Sequence, residues 1–330
     1  MTSRAQMEKI INQSFHNTAG IIVLKGGEKV YENYYQNYTA DNHTHIASAT
    51  KSIVSMLYGI AADRGLLDIE QKVLDFFPDY HVPGGEKTLP QIKISDMLTM
   101  TAPYRCKTEP YRKMFTGKNW VGMALDILGG SGRIGDFLYS PLLGVQILAG
   151  ILTKATGQHI LTFANQYLFA PLDIEVREDV QLRNQEENLA FLNARDVSGW
   201  VVDPEGINTA GWGLTLTVED MAKLGQLYLQ HGSWQGQQII SEKWVSESTQ
   251  EHSICRQWKQ SYGYLWWVID EGEHAYAAMG DGGNIIYVNE KKNLVIAIAC
   301  TYMPQAKDRV QLIRDYMEPV FSPVSSAQMR

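Results

Sequence analysis

The residues of this chain that could do chemistry most directly are Ser48 and Lys51, its only Ser-x-x-Lys pair. A serine hydroxyl is a weak nucleophile until a neighbouring group takes its proton. On a helix the two side chains lie one turn apart, so the Lys51 ammonium can reach the Ser48 hydroxyl. A partly desolvated lysine can accept that proton or tune another base. The pair also fits a serine that caps a helix, followed by a lysine in solvent, so the motif alone leaves two interpretations open.

The stretch that positions this pair predicts a helix that begins at Ser48 and runs to about Asp63. Arg64 and Gly65 are typical of a helix end, because a cation and a residue that tolerates positive φ favour the last turn. At the start, unpaired backbone N–H groups and the positive dipole end favour negative charge that develops at Ser48. The apolar positions recur at helical spacing and give one face to bury, made of Ile53, Met56, Leu57, Ile60 and Ala61.

The composition is that of an ordinary globular protein. The 330 residues are 45% hydrophobic and 20% charged, enough for a large core and two lobes. A net charge of -7 argues against nucleic acid as a main partner. No apolar run has the length of a membrane span, and the polar start, residues 1–12, lacks the apolar core of a signal peptide. The sequence therefore predicts a cytoplasmic protein, and it leaves the oligomeric state open.

The sequence predicts no cofactor and no metal site. Cys106, Cys255 and Cys300 are scattered, without ligand spacing or a disulfide pattern. His43 and His45 are two residues apart in a polar loop, and a metal site there is the weaker interpretation of this pair. No Gly-rich phosphate loop opens a helix after a strand.

The order of the predicted elements indicates one antiparallel sheet built from both ends of the chain. A hairpin of strands 20–24 and 29–35 follows an N-terminal helix at 4–16, and further strands come late in the chain. The other predicted helices are 94–100, 143–156, 160–169, a capped helix from Thr217 to about Gln230, 241–248 and 306–318, and the other strands are 262–269, 275–279, 284–288 and 294–300.

This order predicts an α/β fold of the α+β type, with helices that flank the sheet and a mostly helical lobe inserted between its halves. The sheet domain is expected to comprise residues 1–66 and 211–330, and the helical domain residues 67–210. We expect the active site in the cleft between the two domains.

Several stretches, taken together and in this order, resemble the serine β-lactamase and penicillin-recognising hydrolases. The nearest resemblance is to the class C β-lactamase-like branch, with its esterases, D-amino-acid-releasing peptidases and nylon-oligomer hydrolases. The resemblance runs from about residue 20 to 302 and implies the β-lactamase/transpeptidase-like fold. It is specific because all the stretches occur together and in the family's order. The stretches are Ser48-Ala-Thr-Lys51, Ile94-Ser-Asp-Met-Leu-Thr-Met-Thr101, Tyr139-Ser140 leading into Gly144-Val-Gln-Ile-Leu-Ala-Gly150, Gly211-Trp-Gly-Leu-Thr-Leu-Thr217 with Asp220, Tyr262-Gly-Tyr-Leu-Trp-Trp267 and Gly280-Asp-Gly-Gly-Asn284.

The resemblance implies a catalytic role for Ser48, for Lys51 and for Tyr139. Ser48 would attack a carbonyl and form an acyl-enzyme, and Lys51 would activate it. Tyr139, from the family's Tyr-x-Asn motif, would take the proton as base and return it to the leaving group as acid. A free tyrosine has a pKa of about 10, so this role requires a nearby cation, and Lys51 is available. A partly buried aromatic residue at a helix entry is the alternative interpretation of Tyr139.

The family's third motif aligns with Asp281, Gly282 and Gly283, which the resemblance places on an edge strand. The two glycines would let the backbone approach the substrate closely. The N–H of Asn284, with that of Ser48, would form an oxyanion hole for the charge that develops on the tetrahedral oxygen. Taken alone, Asp-Gly-Gly-Asn is more typical of a hairpin turn.

Two positions depart from the family's pattern. Asp281 stands where lactamase-type relatives have a cation that holds a substrate carboxylate, and a carboxylate repels another carboxylate. The departure predicts a poor β-lactamase that prefers neutral or amine-bearing esters or amides. Pro141 replaces the Asn of Tyr-x-Asn, which normally helps to bind the substrate amide and the lysine. Proline suits the first turn of a helix but offers no side-chain hydrogen bond, which weakens the case for peptide-like substrates.

The sequence as a whole predicts a cofactor-free serine hydrolase that acts on a small-molecule ester or amide by acyl transfer. The second interpretation is a true β-lactamase or D,D-carboxypeptidase, and the third is a family member that binds a ligand without turnover. Four aromatic residues are candidates for an apolar acyl pocket, although aromatic residues of a sheet more often belong to the core. They are Trp212, Trp266, Trp267 and Tyr264.

Overall fold

An eight-stranded antiparallel sheet forms the centre of the computed structural model, which describes residues 3–106 and 108–323. Within these residues the strands are β1 (Thr18–Lys25), β2 (Glu28–Tyr34), β3 (Thr44–His45), β4 (Glu178–Gln181), β5 (Gly199–Val202), β6 (Thr215–Leu216), β7 (Ser233–Trp234), β8 (Gln237–Gln238), β9 (Ser253–Cys255), β10 (Gln260–Tyr262), β11 (Trp267–Asp270), β12 (Ala275–Gly280), β13 (Asn284–Asn289) and β14 (Leu294–Cys300). The order across the sheet is β2-β1-β14-β13-β12-β11-β10-β9. Strands from both chain ends therefore lie side by side, which confirms the predicted fold class.

Helices cover the sheet and fill the middle of the chain. They are α1 (Arg4–Ser14), α2 (Thr50–Asp63), α3 (Ile94–Leu98), α4 (Tyr111–Thr116), α5 (Trp120–Ile127), α6 (Gln146–Thr156), α7 (Ile160–Ala164), α8 (Gln185–Asn193), α9 (Val218–Leu229), α10 (Glu242–Ser248), α11 (Arg309–Leu312) and α12 (Glu318–Phe321). Two π-helical turns extend them: Asn165–Phe169 follows α7, and Ile313–Met317 joins α11 to α12. The predicted helix at 143–156 is present but begins three residues later.

The first hairpin forms as its sequence predicts. β1 and β2 pair antiparallel, and Gly26 and Gly27 between them have φ angles of 62° and 84°. Positive φ at both central positions is the requirement of the two-residue turns whose twist matches paired strands, so two glycines there are the natural choice.

The predicted strand at 262–269 is wrong, because the chain turns in its middle. β10 ends at Tyr262 and β11 begins at Trp267, and the two pair antiparallel. Leu265 in the turn has a φ of 61°, and its N–H bonds to the carbonyl of Leu98 at 2.9 Å. A contact with a distant helix therefore decides the turn, and the local alternation of residues does not show it. β9, which pairs with β10 at the sheet edge, was also not predicted.

The two faces of the sheet carry separate apolar layers. One layer packs α1 and the C-terminal helices against the sheet through Met7, Ile11, Leu312 and Met317. The other layer, which is larger, holds α2, α9 and the helices of the middle segment. The site described below belongs to this second side.

Helix α2 is buried on every side, which corrects the prediction of a single apolar face. Residues 50–61 are all buried, including the polar Lys51, Ser52 and Ser55. Gly59 explains how α10 comes so close, since a Cβ there would overlap the indole ring of Trp244. A helix enclosed in this way gives a rigid support to the turn directly before it, and that turn carries Ser48.

The segment between residues 67 and 210 is mostly helical, with a short parallel strand pair, β4 with β5. The division into two domains with these boundaries stays a prediction. In the part of the chain that the structure describes, every helix is too short or too polar to cross a bilayer.

Candidate active site

Ser48 lies in a tight turn directly before α2. Residues Ala47–Ala49 form a 3₁₀ turn, and Ala47 has a φ of 50°, a left-handed conformation that costs a non-glycine residue about 1 kcal/mol or more. The Thr50 hydroxyl helps to hold this turn, because it donates to the Ala47 carbonyl at 2.7 Å. Ser48 itself remains partly exposed. The turn therefore presents Ser48 outward while its neighbours are buried.

Lys51 is 1% exposed and lies beneath Ser48. Its Nζ is 3.0 Å from the Ser48 hydroxyl oxygen, which confirms the predicted contact. Two main-chain carbonyls accept its other hydrogen bonds, Pro141 at 2.8 Å and Gly211 at 3.0 Å. This environment excludes the alternative of a lysine in solvent.

The chemistry of these three partners limits what Lys51 can do. Carbonyl oxygens accept hydrogen bonds and never donate them, so the bonds to Pro141 and Gly211 take two N–H groups in either charge state. The third position faces Ser48, whose hydroxyl can donate or accept. A neutral amine can thus receive the Ser48 proton, and a charged one donates to the oxygen and leaves that proton for another base.

The ring of Tyr139 lies beside this pair. The Lys51 Nζ lies 5.1 Å from the centre of its ring, within the range of a favourable cation–π contact. Its side chain is partly buried and lines the same cavity as Ser48. The structure thus brings together Ser48, Lys51 and Tyr139, and the proton-transfer role of Tyr139 stays a prediction.

Glu109 holds the segment that carries Tyr139 and Pro141, and sequence reasoning missed it. Its carboxylate accepts from main-chain N–H groups just before α6, where N–H groups lack helical partners, and also from one hydroxyl. A carboxylate in this place is stabilised by the positive end of the helix dipole. The donors are the N–H groups of Leu142 (3.1 Å), Leu143 (2.7 Å) and Gly144 (3.1 Å) and the hydroxyl of Ser140.

The Asp281–Gly283 motif is a turn between β12 and β13, and the expectation of an edge strand is wrong. β12 and β13 lie inside the sheet, and Gly280 pairs with Asn284 across the turn. Gly282 and Gly283 have φ angles of 82° and 98°, so the turn itself requires them. Gly280 makes the close approach: a Cβ there would overlap the carbonyl oxygen of Ile46 and lie 3.1 Å from the nitrogen of Ala49.

Side chains beneath this turn bind its three carbonyl oxygens. The side-chain amide of Asn284 donates to the Asp281 carbonyl at 3.0 Å, and that of Asn17 donates to the Gly282 carbonyl at 2.7 Å. The Cys300 thiol donates to the Gly283 carbonyl at 3.3 Å. The turn is therefore fixed by three side chains: Asn17, which directly precedes β1, Asn284 of β13 and Cys300 of β14.

Asn284 also ties this turn to the loop before Ser48. Its side-chain nitrogen donates to the His45 carbonyl at 3.2 Å, and its side-chain oxygen accepts from the Cys300 N–H at 2.9 Å. These side-chain bonds make Asn284 a structural link. The expectation that its backbone N–H belongs to an oxyanion hole stays a prediction.

His45 is neutral at neutral pH and acts as an acceptor. Its Nε2 accepts from the Gly213 N–H at 3.0 Å, and its ring packs edge-on against Phe191 and Trp212. Burial among these rings lowers the pKa of His45 to about 4, because a charged imidazole loses its hydration there. No three His, Cys, Asp or Glu side chains of the described residues are grouped so as to hold a metal ion.

A cavity of about 880 Å³ opens over Ser48. Tyr139 and Pro141 line it on one part of the wall, and Asp281 to Asn284 line another. The exposed Asp281 does not set the charge of the cavity alone, since Asp308, Lys307 and Arg309 are also in the lining. Arg309 is 3% exposed and its charge is directed beneath the turn, where it donates to the Asn17 side-chain oxygen at 2.5 Å.

The four aromatic candidates divide between cavity and core. Trp267 lines the cavity. Trp266 is fully buried and stacks on Tyr228, and Tyr264 stacks on His252. Trp212 packs edge-on against His45 and Phe115 and is not among the residues that line the cavity over Ser48, so its role in substrate binding stays a prediction.

Trp258 lines the cavity and was missed by sequence reasoning. It lies in a polar turn between two short strands, where neither strand pattern nor a motif singles it out. Glu109 was missed for a similar reason, because it stands in a loop between helices and its partners come from a segment about thirty residues later. A large aromatic residue in a polar turn was the signal available for Trp258.

The chain is similar to known proteins over most of its length. A family model described as Beta-lactamase matches residues 7–318. The 6-aminohexanoate-dimer hydrolase of Paenarthrobacter ureafaciens is 22% identical over 303 residues, which are 84% of this chain and 71% of that protein. A penicillin-binding protein homologue from Caulobacter crescentus has a TM-score of 0.70 at 15% identity, with 91% of each chain covered. A family VIII carboxylesterase also has a TM-score of 0.70, at 16% identity with 96% of each chain covered.

Proposed function

We infer, since the chain belongs to the Beta-lactamase family, that it is a serine hydrolase whose nucleophile is Ser48. The observation that carries this proposal is the 3.0 Å contact between the Lys51 Nζ and the Ser48 hydroxyl oxygen. That contact lies at the start of a buried helix, and Ser48 lines a large cavity. Attack of the Ser48 oxygen on a carbonyl carbon would give an acyl-enzyme, which water then hydrolyses.

The proton path uses Lys51 and Tyr139. Two carbonyls fix the amine of Lys51, so its remaining position is always directed at Ser48. When the amine is neutral it takes the hydroxyl proton, and when it is charged Tyr139 is the group beside it that can act as base. We assign to Tyr139 the return of the proton to the leaving atom, because it lines the cavity and Lys51 lies beneath it.

The oxyanion hole would combine the backbone N–H of Ser48 with one from the β12–β13 turn. Asn284 is the donor that the family resemblance implies. The close approach of Gly280 to the Ser48 turn makes the N–H of Asp281, the next residue, a second candidate. Either donor would be preorganised, because side chains below the turn bind its carbonyls.

The substrate class that we propose is a small ester or amide, neutral or bearing an amine. Asp281 is exposed in the cavity lining, where a carboxylate attracts an ammonium group and repels a second carboxylate. One relative is named for the 6-aminohexanoate dimer, so this compound belongs in the test set. A penicillin represents the other candidate, a true β-lactamase or D,D-carboxypeptidase.

The first test measures the intact protein mass after incubation with a fluorophosphonate and, separately, with a penicillin. We expect one phosphonate adduct per chain, absent in Ser48→Ala. Labelling by both reagents would favour the lactamase-like activity. Absence of any adduct on the wild type would contradict the proposal and favour a protein that binds ligand without turnover.

The second test addresses the role of Asp281. Asp281→Lys should raise kcat/KM for an anionic ester or penicillin relative to a neutral ester by about tenfold, because the sign of the charge beside the substrate is reversed. Asp281→Asn should give a smaller change in the same direction. No change in this ratio in either variant would mean that Asp281 does not select the substrate charge.

A further inference from the structure

A large aromatic side chain stands open at the active-site cavity. Trp258 is 57% exposed and lines the cavity together with Ser48 and Tyr139. The turn that carries it is ordered: the Trp258 N–H bonds to the Cys255 carbonyl at 3.2 Å, and the next residue, Lys259, has a φ of 52°. The indole is thus held at the cavity by its backbone and is not buried by any described residue.

Trp258 is the outer part of an aromatic wall that also contains Tyr139 and Trp267. The ring centres of Trp258 and Trp267 are 5.5 Å apart, those of Tyr139 and Trp267 5.8 Å, and those of Tyr139 and Trp258 6.4 Å. Tyr262 packs edge-on against Trp267 from the sheet at 4.7 Å. All three rings of the wall line the cavity. Trp267 is 7% exposed and supports the other two, so Trp258 and the partly buried Tyr139 supply most of the accessible ring surface.

An exposed indole next to two more rings leaves apolar surface in water, which is unfavourable until something apolar covers it. A flat group packs best against such a surface, since ring pairs prefer offset or edge-on contacts at these distances. The position of Tyr139 decides which part of a substrate would lie there. A group that returns a proton to the leaving atom must be within hydrogen-bond reach of it, so the rings beside Tyr139 flank the leaving group.

We propose that Tyr139, Trp258 and Trp267 form a subsite for a flat apolar group on the leaving-group side of an ester or amide substrate. The proposal rests on the proposed function, because it uses Tyr139 as the proton donor to the leaving atom. It adds the chemical class of the leaving group: an alcohol or amine that carries an aromatic or similarly flat apolar substituent a few bonds from the reacting atom.

The test compares two acetate esters, propyl acetate and 3-phenylpropyl acetate. Their acyl groups are identical and the phenyl ring is remote from the ester oxygen, so the leaving alcohols differ mainly in apolar surface. For the wild type we expect kcat/KM for the phenylpropyl ester to exceed that for the propyl ester by about tenfold. In Trp258→Ala the ratio should fall about fivefold or more, and in Trp258→Phe most of it should remain.

Phe115→Ala supplies the matched control. Phe115 is 46% exposed, similar to Trp258, but it does not line this cavity, so its removal should leave the ratio unchanged. A ratio in Trp258→Ala equal to that of the wild type would overturn the subsite while the hydrolase assignment stands. Failure of the wild type to cleave either ester, while a fluorophosphonate still labels Ser48, would overturn the subsite alone. Failure in both assays would contradict the proposed function.

Discussion

A hydrogen bond of 2.8 Å joins the Nζ of Lys51 to the main-chain oxygen of Pro141, ninety residues away in the chain. The family's pattern has an asparagine at this position that helps to bind the substrate amide and the lysine, and the sequence alone suggested that its replacement by proline weakens the case for peptide-like substrates. The bond shows that the lysine does not depend on a side chain there. The main-chain oxygen is present whatever residue type stands at position 141.

The replacement Pro141→Ala should therefore preserve the Lys51 contact. We expect kcat/KM for a neutral ester to fall by about threefold at most, because only the fixed φ of proline is lost. Lys51→Met should reduce kcat by about 10³-fold or more, since it removes the group that activates the nucleophile. Steady-state kinetics measure the loss in each of the two variants, and thermal unfolding checks that both are folded. A loss of activity in Pro141→Ala as large as that in Lys51→Met would contradict the prediction that Lys51 needs only the main-chain oxygen of residue 141.

Glu109→Gln should lower kcat more than it raises KM. The amide nitrogen of glutamine cannot accept, so at least one N–H group of residues 142–144 loses its partner and the segment with Tyr139 loosens. We expect kcat to fall by about tenfold. Glu109→Asp should recover part of this loss. An exposed acidic residue of α5, Asp126, whose carboxylate accepts from the Tyr80 hydroxyl, provides the control through Asp126→Asn, which should leave kcat unchanged.

The replacement Gly280→Ala should damage activity more than stability. The added methyl group would overlap the Ile46 carbonyl and press on the turn that holds Ser48. A shift of this turn misplaces the nucleophile, for which we expect a loss of about 10²-fold in kcat. Gly84→Ala is the control, since a Cβ there meets no atom within 4 Å and its φ is outside the left-handed region. Fluorophosphonate labelling rates report the nucleophile directly, and a wild-type rate in Gly280→Ala would refute the prediction.

His45 should make the protein sensitive to acid before its carboxylates titrate. The folded-state pKa is about 4 and the ordinary value is 6.5, so between these pH values the unfolded chain binds a proton that the folded chain does not. The free energy of unfolding therefore falls as the pH drops through this window, by about 3 kcal/mol. His45→Gln, whose side-chain oxygen can accept from Gly213, should remove most of this slope in urea titrations between pH 7 and 4. His43→Gln is the comparison variant, because burial also lowers the pKa of His43. Its urea titrations show how much of the slope belongs to that histidine.

The sequence by itself determined the parts of this protein that depend on neighbouring residues. Ser48 and Lys51 are one helical turn apart, so their contact follows from the helix alone. The same holds for the glycine turn of the first hairpin and for the capping box at α9, where Thr217 and Asp220 exchange hydrogen bonds at 3.0 and 3.1 Å. Local spacing fixes such contacts before the chain folds.

Only the tertiary structure decided which atoms surround that pair. The partners of Lys51 come from residues 90 and 160 positions later. Glu109 and Trp258 reach the site through loops without periodic patterns, and Gly280 reaches it at the end of β12. The turn at Leu265, fixed by a bond to Leu98, broke a strand that the alternation of residues predicted as continuous. Contacts between distant segments depend on how whole layers pack, and a local pattern of residue types does not encode that packing.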